Sequence, residues 1–338
     1  MFITSFHHFR GFAILIIISA HVHVGSIESD NPIFTNLVSG STALFVFISG
    51  YLFQHLQKNK FNYPLYLNRK FKYVILPYLI CSTPAIIDIA ISGNFHPLFG
   101  DVGVLEGSML NILTGRHVTA YWYIPFAFLL FISAPIIVIF SQLNSKKQLL
   151  ILSALSVLAI FAHRPIGGLN PFHSFIYYIP FYLFGIYSVV NKKLIKTIGR
   201  FNLLFLLIAL LLAYFQSSIM GIVGSSHKDL FTFSGVDVMY IQKMSLLLFI
   251  ITSLPHLEHI NAKPLSFFAN ISFSLYFIHG YVLVLLSKIS INSILLNHGL
   301  SDVTATLIKY TLVVIISSML SVIIIKVLGN KSRYVIGS

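Results

Sequence analysis

The spacing of Arg10 and His21 is the first feature of this sequence that suits chemistry. Both lie in the apolar segment FHHFRGFAILIIISAHVHVG, and His21 follows Arg10 by eleven positions. Eleven positions make three turns of an α-helix with little left over, so we expect both side chains on one helix face, about 16 Å apart. This spacing suits a long ligand whose anionic part meets Arg10 and whose reactive end reaches His21. The alternative is that Arg10 only anchors the helix at a membrane edge and that His21 is a hydrogen-bonded interior histidine.

A second candidate is the basic cluster Arg69, Lys70 and Lys72, which lies in NYPLYLNRKFKYVILPYL. We expect it in the loop that leads into an apolar segment, with Arg69 and Lys72 on one face as the helix begins. An arginine fork and a lysine point charge together suit the phosphates of a cytosolic cofactor. The alternative is that the basic cluster only orients the chain in a membrane or attracts anionic lipid headgroups.

The third candidate is the late segment SFSLYFIHGYVLV, which contains Tyr276 and His279. A histidine beside serines in an apolar helix can also join helices by hydrogen bonds, and for His279 alone this is the simpler interpretation. Asp237 and Lys243 are further ionisable residues in apolar surroundings. They are six positions apart, so they do not face each other on one helix and each needs a partner elsewhere.

The composition places these residues in a membrane protein. Of the 338 residues, 57% are apolar and only 9% are Asp, Glu, Lys or Arg, whereas soluble domains contain about 25% charged residues. A soluble globular enzyme and a disordered chain are therefore excluded. The net charge of +13 is not a nucleic-acid signal, because the chain has few solvated segments from which to build a basic surface. The single cysteine, Cys81, excludes an internal disulfide framework, and the pair His256 and His259 lacks a third ligand, so we expect no metal site.

About ten apolar stretches are long enough to cross a bilayer, which takes roughly 20 residues of helix. They cover residues 11–28, 37–56, 73–92, 120–140, 148–163, 173–191, 201–221, 237–255, 266–287 and 304–326. With the N-terminus in the cytoplasm, 16 of the 22 Lys and Arg residues lie on the cytoplasmic side, as the positive-inside rule requires. We therefore predict an all-α, polytopic membrane protein with both termini in the cytoplasm. We expect residues 1–338 to form one transmembrane domain with an uncleaved first helix and no appended soluble domain.

Five segments, taken in order, resemble the motifs of the membrane acyltransferase 3 family, which includes many bacterial O-acetyltransferases of surface polysaccharides. They are RGFAILIIISAH, ALFVFISGYLF, RKFKYVILPYL, AYWYIPFAFLLFISAP and SFSLYFIHGYVLV. Each motif alone is loose. Their order and their positions in the predicted spans extend the resemblance over nearly the whole chain.

The resemblance implies roles for particular residues. The family's catalytic histidine falls on His21 and its paired arginine on Arg10. Its Arg-x-x-Arg cluster falls on Arg69 and Lys72, with Lys70 between them, so the second basic residue keeps the charge but not the guanidinium fork. The residues expected to position the substrate or steady the oxyanion are Ser49, Trp122, Tyr276 and His279.

The resemblance also implies a reaction, namely acyl transfer from acyl-CoA, usually acetyl-CoA, to a sugar hydroxyl. The acceptor would be O-antigen, capsule or a lipid-linked precursor, and the location a bacterial inner membrane. We expect His21 to act as a general base or as a transient acyl carrier. The competing interpretation is a transporter or flippase for lipid-linked sugars, which ten helices with interior His, Asp and Lys would also suit. Transporters often contain internal repeats, and we see none in this sequence.

Overall fold

The computed structural model describes residues 4–23, 31–57, 61–260 and 262–338, and this part of the chain is almost entirely helical, which confirms the all-α prediction. Its helices are α1 (Thr4–His23), α2 (Pro32–Val38), α3 (Thr42–Gln57), α4 (Tyr63–Lys70), α5 (Leu76–Ser92), α6 (Val104–Thr114), α7 (Tyr123–Ile132), α8 (Ala134–Gln142), α9 (Ser145–Ala162), α10 (Pro171–Val190), α11 (Lys192–Ile198), α12 (Asn202–Tyr214), α13 (Val238–Ser253), α14 (Lys263–Asn270), α15 (Ser272–Lys288), α16 (Ile291–Asn297), α17 (Asp302–Leu328) and α18 (Ser332–Val335). The π-helical turns are Phe71–Ile75 and Phe215–Ile219, and the 3-10 turns are Pro97–Phe99, Ile166–Gly168, Gly199–Phe201, Leu254–Leu257 and Gly329–Lys331. The strands β1 (Arg164–Pro165) and β2 (His227–Lys228) have two residues each.

Within the described ranges, eight helical segments are long and apolar enough to cross a membrane. They are Thr4–Val22, Pro32–Leu56, Tyr63–Ser92, Ser145–Ala162, Pro171–Val190, Lys192–Ile219, Val238–Leu257 and Asp302–Val335. The number rises to ten if α7 with α8, and α14 with α15, each count as one span. The predicted polytopic architecture is therefore confirmed.

The helix that enters the third span begins at Tyr63 rather than near residue 73. Asn62 is its N-cap and accepts a hydrogen bond from a backbone amide of the first turn at 3.0 Å, and a proline occupies that turn. Both features start helices. The prediction that the basic cluster lies in a loop is therefore wrong, because Arg69 and Lys70 end α4 and Lys72 lies in the following π-helical turn.

Two compact units divide the chain. Unit 1 comprises Met1–Phe61, Ala134–Arg164 and Ile176–Ala269, and unit 2 comprises Asn62–Ser133, Pro165–Phe175 and Asn270–Ser338. Unit 1 contains the candidate residues Arg10, His21 and Ser49. Unit 2 contains the basic cluster together with Trp122, Tyr276 and His279.

Glycines bring helix backbones of unit 1 into direct contact. A Cβ atom on Gly50 of α3 would overlap the Tyr182 carbonyl of α10. A Cβ atom on Gly185 of α10 would in turn overlap the backbone of α3 at Phe47 and Tyr51. Small residues permit such close approach between helices in a membrane. The glycine of the Ser49-Gly50 pair is therefore explained by packing alone.

Candidate functional site

Arg10 and His21 lie on one uninterrupted helix, α1. The regular geometry places them on the same helix face, about 16 Å apart along the axis. Arg10 donates a hydrogen bond from Nη2 to the Ala269 carbonyl of α14 at 2.6 Å. Its Nε is buried without a hydrogen-bond partner among the described residues. His21 lies in the last turn of α1 and is partly buried.

The start of α1 is held by a carboxylate. The backbone amides of Thr4 and Ser5 donate to Oε1 and Oε2 of Glu258 at 2.9 and 3.0 Å. These amides have no partner within the helix, and a negative charge at this end also complements the helix dipole. Burial raises the pKa of Glu258, but the hydrogen bonds from Ser5 and Thr4 outweigh it, so the pKa is lower than usual. The carboxylate is therefore ionised at neutral pH and fixes the axial position of α1.

The glycine at position 11, directly after Arg10, allows α1 to approach α14 closely. A Cβ atom at this position would overlap the Leu265 carbonyl of α14 and lie 3.0 Å from the Ala269 amide nitrogen. The neighbouring His8 adds a side-chain contact to the same helix, with 2.9 Å between its Nε2 and Ser266 Oγ. The Arg-Gly pair thus packs α1 directly against the backbone of α14, and this contact sets where Arg10 lies.

Replacing Gly11 with valine is expected to destabilise unit 1, because the added side chain must push α14 away from α1. Overpacking typically costs about 1–3 kcal/mol, and here the obstacle is backbone rather than a flexible side chain. The measurement is the unfolding temperature of the detergent-purified protein and its monodisperse fraction. Gly103→Val is the matched control, since Gly103 has an ordinary negative φ and no atom within 4 Å of its added Cβ. Equal stability of the two variants would contradict this packing.

Ser49 uses its hydroxyl within its own helix. Its Oγ donates to the Phe45 carbonyl at 2.9 Å, and the side chain is partly buried. The oxygen lone pairs remain for accepting a hydrogen bond. Two positions further along α3, the ring of Tyr51 stacks on Phe6 of α1 with ring centroids 3.5 Å apart. The helix that carries Ser49 is thereby fixed against the helix that carries His21.

Lys243 has a partner that the sequence did not identify. Its Nζ is buried and donates to the carbonyls of Asn36 at 3.0 Å and Leu37 at 2.6 Å. These carbonyls lie at the end of α2, where the second span is broken before α3. Gly40 lies in this break with a φ of 70°. The sequence signal was the Ser-Gly-Ser run between two apolar segments, which is typical of a helix break.

Asp237 also finds its partner on another helix, as expected. It caps α13 by accepting from the Met239 amide at 3.0 Å, and it accepts the Tyr177 hydroxyl of α10 at 2.8 Å. His163 lies close by, with ring nitrogens 3.0 Å from Ser226 Oγ and 3.1 Å from the Gly235 carbonyl. Lys243 and Asp237 thus each form buried hydrogen bonds to a different helix of unit 1, rather than to each other.

In unit 2 the three residues of the basic cluster have different surroundings. Arg69 and Lys72 are exposed, whereas Lys70 is partly buried. The Lys70 ammonium lies over the rings of Phe131 at 4.8 Å and Tyr66 at 5.4 Å, measured to the ring centroids. The basic cluster therefore divides into two exposed cations and one that is covered by aromatic rings.

Tyr276 joins the Trp122 segment to α15 through two reciprocal hydrogen bonds. The Tyr276 hydroxyl donates to the Ala120 carbonyl at 2.8 Å, and the Tyr121 hydroxyl donates to the Phe277 carbonyl at 2.9 Å. The two tyrosine rings stack with centroids 6.1 Å apart and an interplanar angle of 21°. Trp122 follows directly and is buried. The structure thus brings two predicted positioning residues, Tyr276 and Trp122, into one rigid assembly.

His279 lies one turn further along α15 and is completely buried. Its Nδ1 is 2.7 Å from the Leu275 carbonyl, so this nitrogen must carry the proton and Nε2 the lone pair. His117, which the sequence reasoning did not single out, lies 2.7 Å from Ser82 Oγ through Nε2 and 3.0 Å from the Asn111 carbonyl through Nδ1. Burial lowers the pKa of His117 to about 4, so it is neutral at physiological pH.

Comparisons with known proteins place this arrangement in a family. A family model described as an acyltransferase domain, that of the acyltransferase 3 family, matches residues 3–326. No curated protein and no solved structure gives a significant match. Among the described residues, no group of three or more His, Cys, Asp or Glu side chains could hold a metal ion. The match covers nearly the whole chain and includes both units, so this multi-pass membrane protein belongs to the acyltransferase 3 family.

Proposed function

We propose that this protein moves an acetyl group from acetyl-CoA to a sugar hydroxyl of a cell-surface polysaccharide or its lipid-linked precursor. The observation that carries the proposal is the placement of Arg10 and His21 on one face of α1 in a member of an acyltransferase family. The chain would lie in the inner membrane of a bacterium with both termini in the cytoplasm.

His21 serves as the general base in this proposal. The neutral imidazole accepts the proton of the sugar hydroxyl while the sugar oxygen attacks the thioester carbonyl. The tetrahedral intermediate then expels the CoA thiolate, which takes the proton from the imidazolium. A positioned base of this kind contributes about 10²–10⁴-fold in rate. In the alternative route, the acetyl group first moves to a His21 ring nitrogen and then to the sugar.

Arg10 lies on the same face of α1 as His21, three turns away, and supplies a positive charge to the ligand there. One guanidinium nitrogen is engaged by the Ala269 carbonyl, which fixes the orientation of the group. The buried Nε, which has no hydrogen-bond partner among the described residues, is the natural donor for an anionic or carbonyl oxygen. An arginine can present such a donor at a fixed angle, whereas a lysine cannot.

Arg69 and Lys72 bind the donor phosphates in this proposal. Both are exposed at the start of a span, where acetyl-CoA would reach them from the cytoplasm. Arg69 offers a bidentate fork and Lys72 a point charge. Ser49, Trp122, Tyr276 and His279 are assigned to positioning. Tyr276 acts through its hydrogen bond to the Trp122 segment, and His279 is oriented by the hydrogen bond from its Nδ1 to the Leu275 carbonyl.

The test of the proposal is transfer of label from acetyl-labelled acetyl-CoA into carbohydrate by membranes that contain the protein and the host's own glycans. Membranes from the same host without the protein give the background level of label. Label in carbohydrate that depends on the protein would support the proposal. Failure of label to enter carbohydrate, together with protein-dependent flux of a lipid-linked sugar, would favour a transporter instead.

Replacing Arg69 with alanine is expected to raise the KM for acetyl-CoA roughly tenfold or more and to change the KM for the sugar much less. Hydrogen bonds to charged groups contribute about 1.5–3 kcal/mol each, and Arg69 → Lys should restore part of the loss because the charge returns without the fork. Lys146→Ala, at another exposed basic position, serves as the control. A selective effect on the sugar would mean that this residue binds the acceptor's phosphate.

A further inference from the structure

An apolar cavity of about 330 Å³ lies in unit 2 beside the basic cluster. It is formed by α4, the following π-helical turn and α7, and its lining includes Asn68, Lys70, Phe71, Ile75, Phe128 and Phe131. Apolar side chains provide most of this lining, and among the described residues that form it Lys70 is the one with a positive charge. A ligand that fits it has a long apolar part and a negative group at one end.

Two exposed apolar residues that line the cavity indicate that this surface faces the bilayer. Phe71 is 53% exposed and Phe128 is 44% exposed, although both are large apolar residues within predicted spans. Most residues of the span Tyr63–Ser92 are likewise not buried inside the protein. Lipid is the solvent for such a surface, so the molecules that reach this cavity first are those of the bilayer.

The change in hydropathy after Lys72 indicates that Lys70 lies near the level of the headgroups. The basic cluster ends at Lys72, and the next eight residues, YVILPYLI, are almost entirely apolar. We therefore place the boundary of the hydrocarbon region directly after Lys72. The Lys70 ammonium contacts two aromatic rings, and within the described residues no carboxylate or hydrogen-bond acceptor contacts it. A lipid phosphate would supply an acceptor for its N–H donors.

We propose that this cavity binds one anionic phospholipid of the bilayer, with an acyl chain along the apolar lining and the phosphate on Lys70. The exposed Arg69 and Lys72 strengthen the positive field around the phosphate. A zwitterionic lipid fits less well, since its own cation meets the basic cluster. A CoA pantetheine arm also fits less well, because its amides would lie against phenyl rings without partners. The inference assigns Lys70 to a lipid rather than to the acyl donor, and it stands whether or not the proposed reaction is correct.

The experiment uses the full-length protein in a neutral detergent with added phosphatidylglycerol or phosphatidylcholine. Native mass spectrometry measures the lipid that each sample retains. The wild type is expected to retain phosphatidylglycerol at least tenfold better than phosphatidylcholine. Lys70→Met, which keeps the length and apolar stem of the side chain, is expected to lose this preference. Lys146→Met removes an exposed lysine elsewhere and is expected to keep it.

A second variant tests the apolar half of the site. Ile75→Trp fills the cavity and leaves all three cations in place, so it should also abolish retention of phosphatidylglycerol. A preference that survives both Lys70→Met and Ile75→Trp would overturn the proposal. Glycerol phosphate that displaces the lipid at equal concentration would also overturn it, since the site would then recognise a free phosphate without an acyl chain.

Discussion

Replacing His21 with glutamine is expected to lower acetyl transfer by about two to four orders of magnitude, without loss of folded protein. Glutamine keeps a polar side chain of similar size at this partly buried position, but it cannot accept a proton near neutral pH. The expected loss corresponds to the usual contribution of a general base. The measurement is the rate of label transfer from acetyl-CoA into carbohydrate at equal amounts of membrane-inserted protein.

His8→Ala is the matched control, because it removes a histidine from the same helix. His8 contacts Ser266 rather than any residue with a proposed role in catalysis, so its loss should affect stability more than rate. Full activity of folded His21→Gln protein would remove His21 from the mechanism. Protein-bound label after incubation without acceptor, present in the wild type and absent in His21→Gln, would select the acyl-histidine route over general base catalysis.

Replacing Lys243 with methionine is expected to destabilise unit 1 by about 1–3 kcal/mol. Methionine fills a similar volume, but the Leu37 carbonyl loses its ammonium donor, whereas the Asn36 carbonyl keeps a hydrogen bond from the Gln242 side-chain amide at 3.2 Å. Each unsatisfied buried acceptor costs about 1–3 kcal/mol, and the interior offers no water as a replacement. The measurement is the unfolding temperature in detergent together with hydrogen exchange of the backbone amides of residues 39–44.

Lys309→Met provides the comparison, since Lys309 is a second buried lysine and lies on α17 of unit 2. Faster exchange at residues 39–44 in Lys243→Met, and not in Lys309→Met, would place the effect at the break between α2 and α3. An unchanged exchange rate at these amides in Lys243→Met would contradict the role we assign to the ammonium, even if overall stability fell.

The sequence predicts the spans well because an apolar run of about 20 residues is stable as a helix that crosses the hydrocarbon of the bilayer. It also predicts that Arg10 and His21 share a helix face, since no proline or glycine pair interrupts α1 after Gly11. The start of the third span was misjudged, because hydropathy begins at residue 73 whereas the cap and the proline begin the helix at Tyr63.

Long-range pairs were beyond sequence reasoning. Lys243 meets Asn36 across 207 positions, and Tyr121 meets Phe277 across 156 positions. A single sequence shows that Lys243 needs a partner, but it does not show which of many backbone carbonyls becomes available. Which carbonyl becomes available depends on where α2 ends and on how Gly50 and Gly185 bring α3 and α10 together. The positioning roles of Tyr276 and Trp122 depend on tertiary contacts of the same kind.

The hydrogen bonds from Lys243 to α2 also determine the order in which this part of the protein can be completed during synthesis. Ribosomes add about 5–20 residues per second, so Lys243 emerges roughly 10–40 s after Asn36, given their separation of 207 positions. During that interval the carbonyls of Asn36 and Leu37, at the junction of α2 and α3, lack the Lys243 ammonium as a hydrogen-bond donor. The junction of α2 and α3 therefore gains its full set of hydrogen bonds only after α13 has been synthesised.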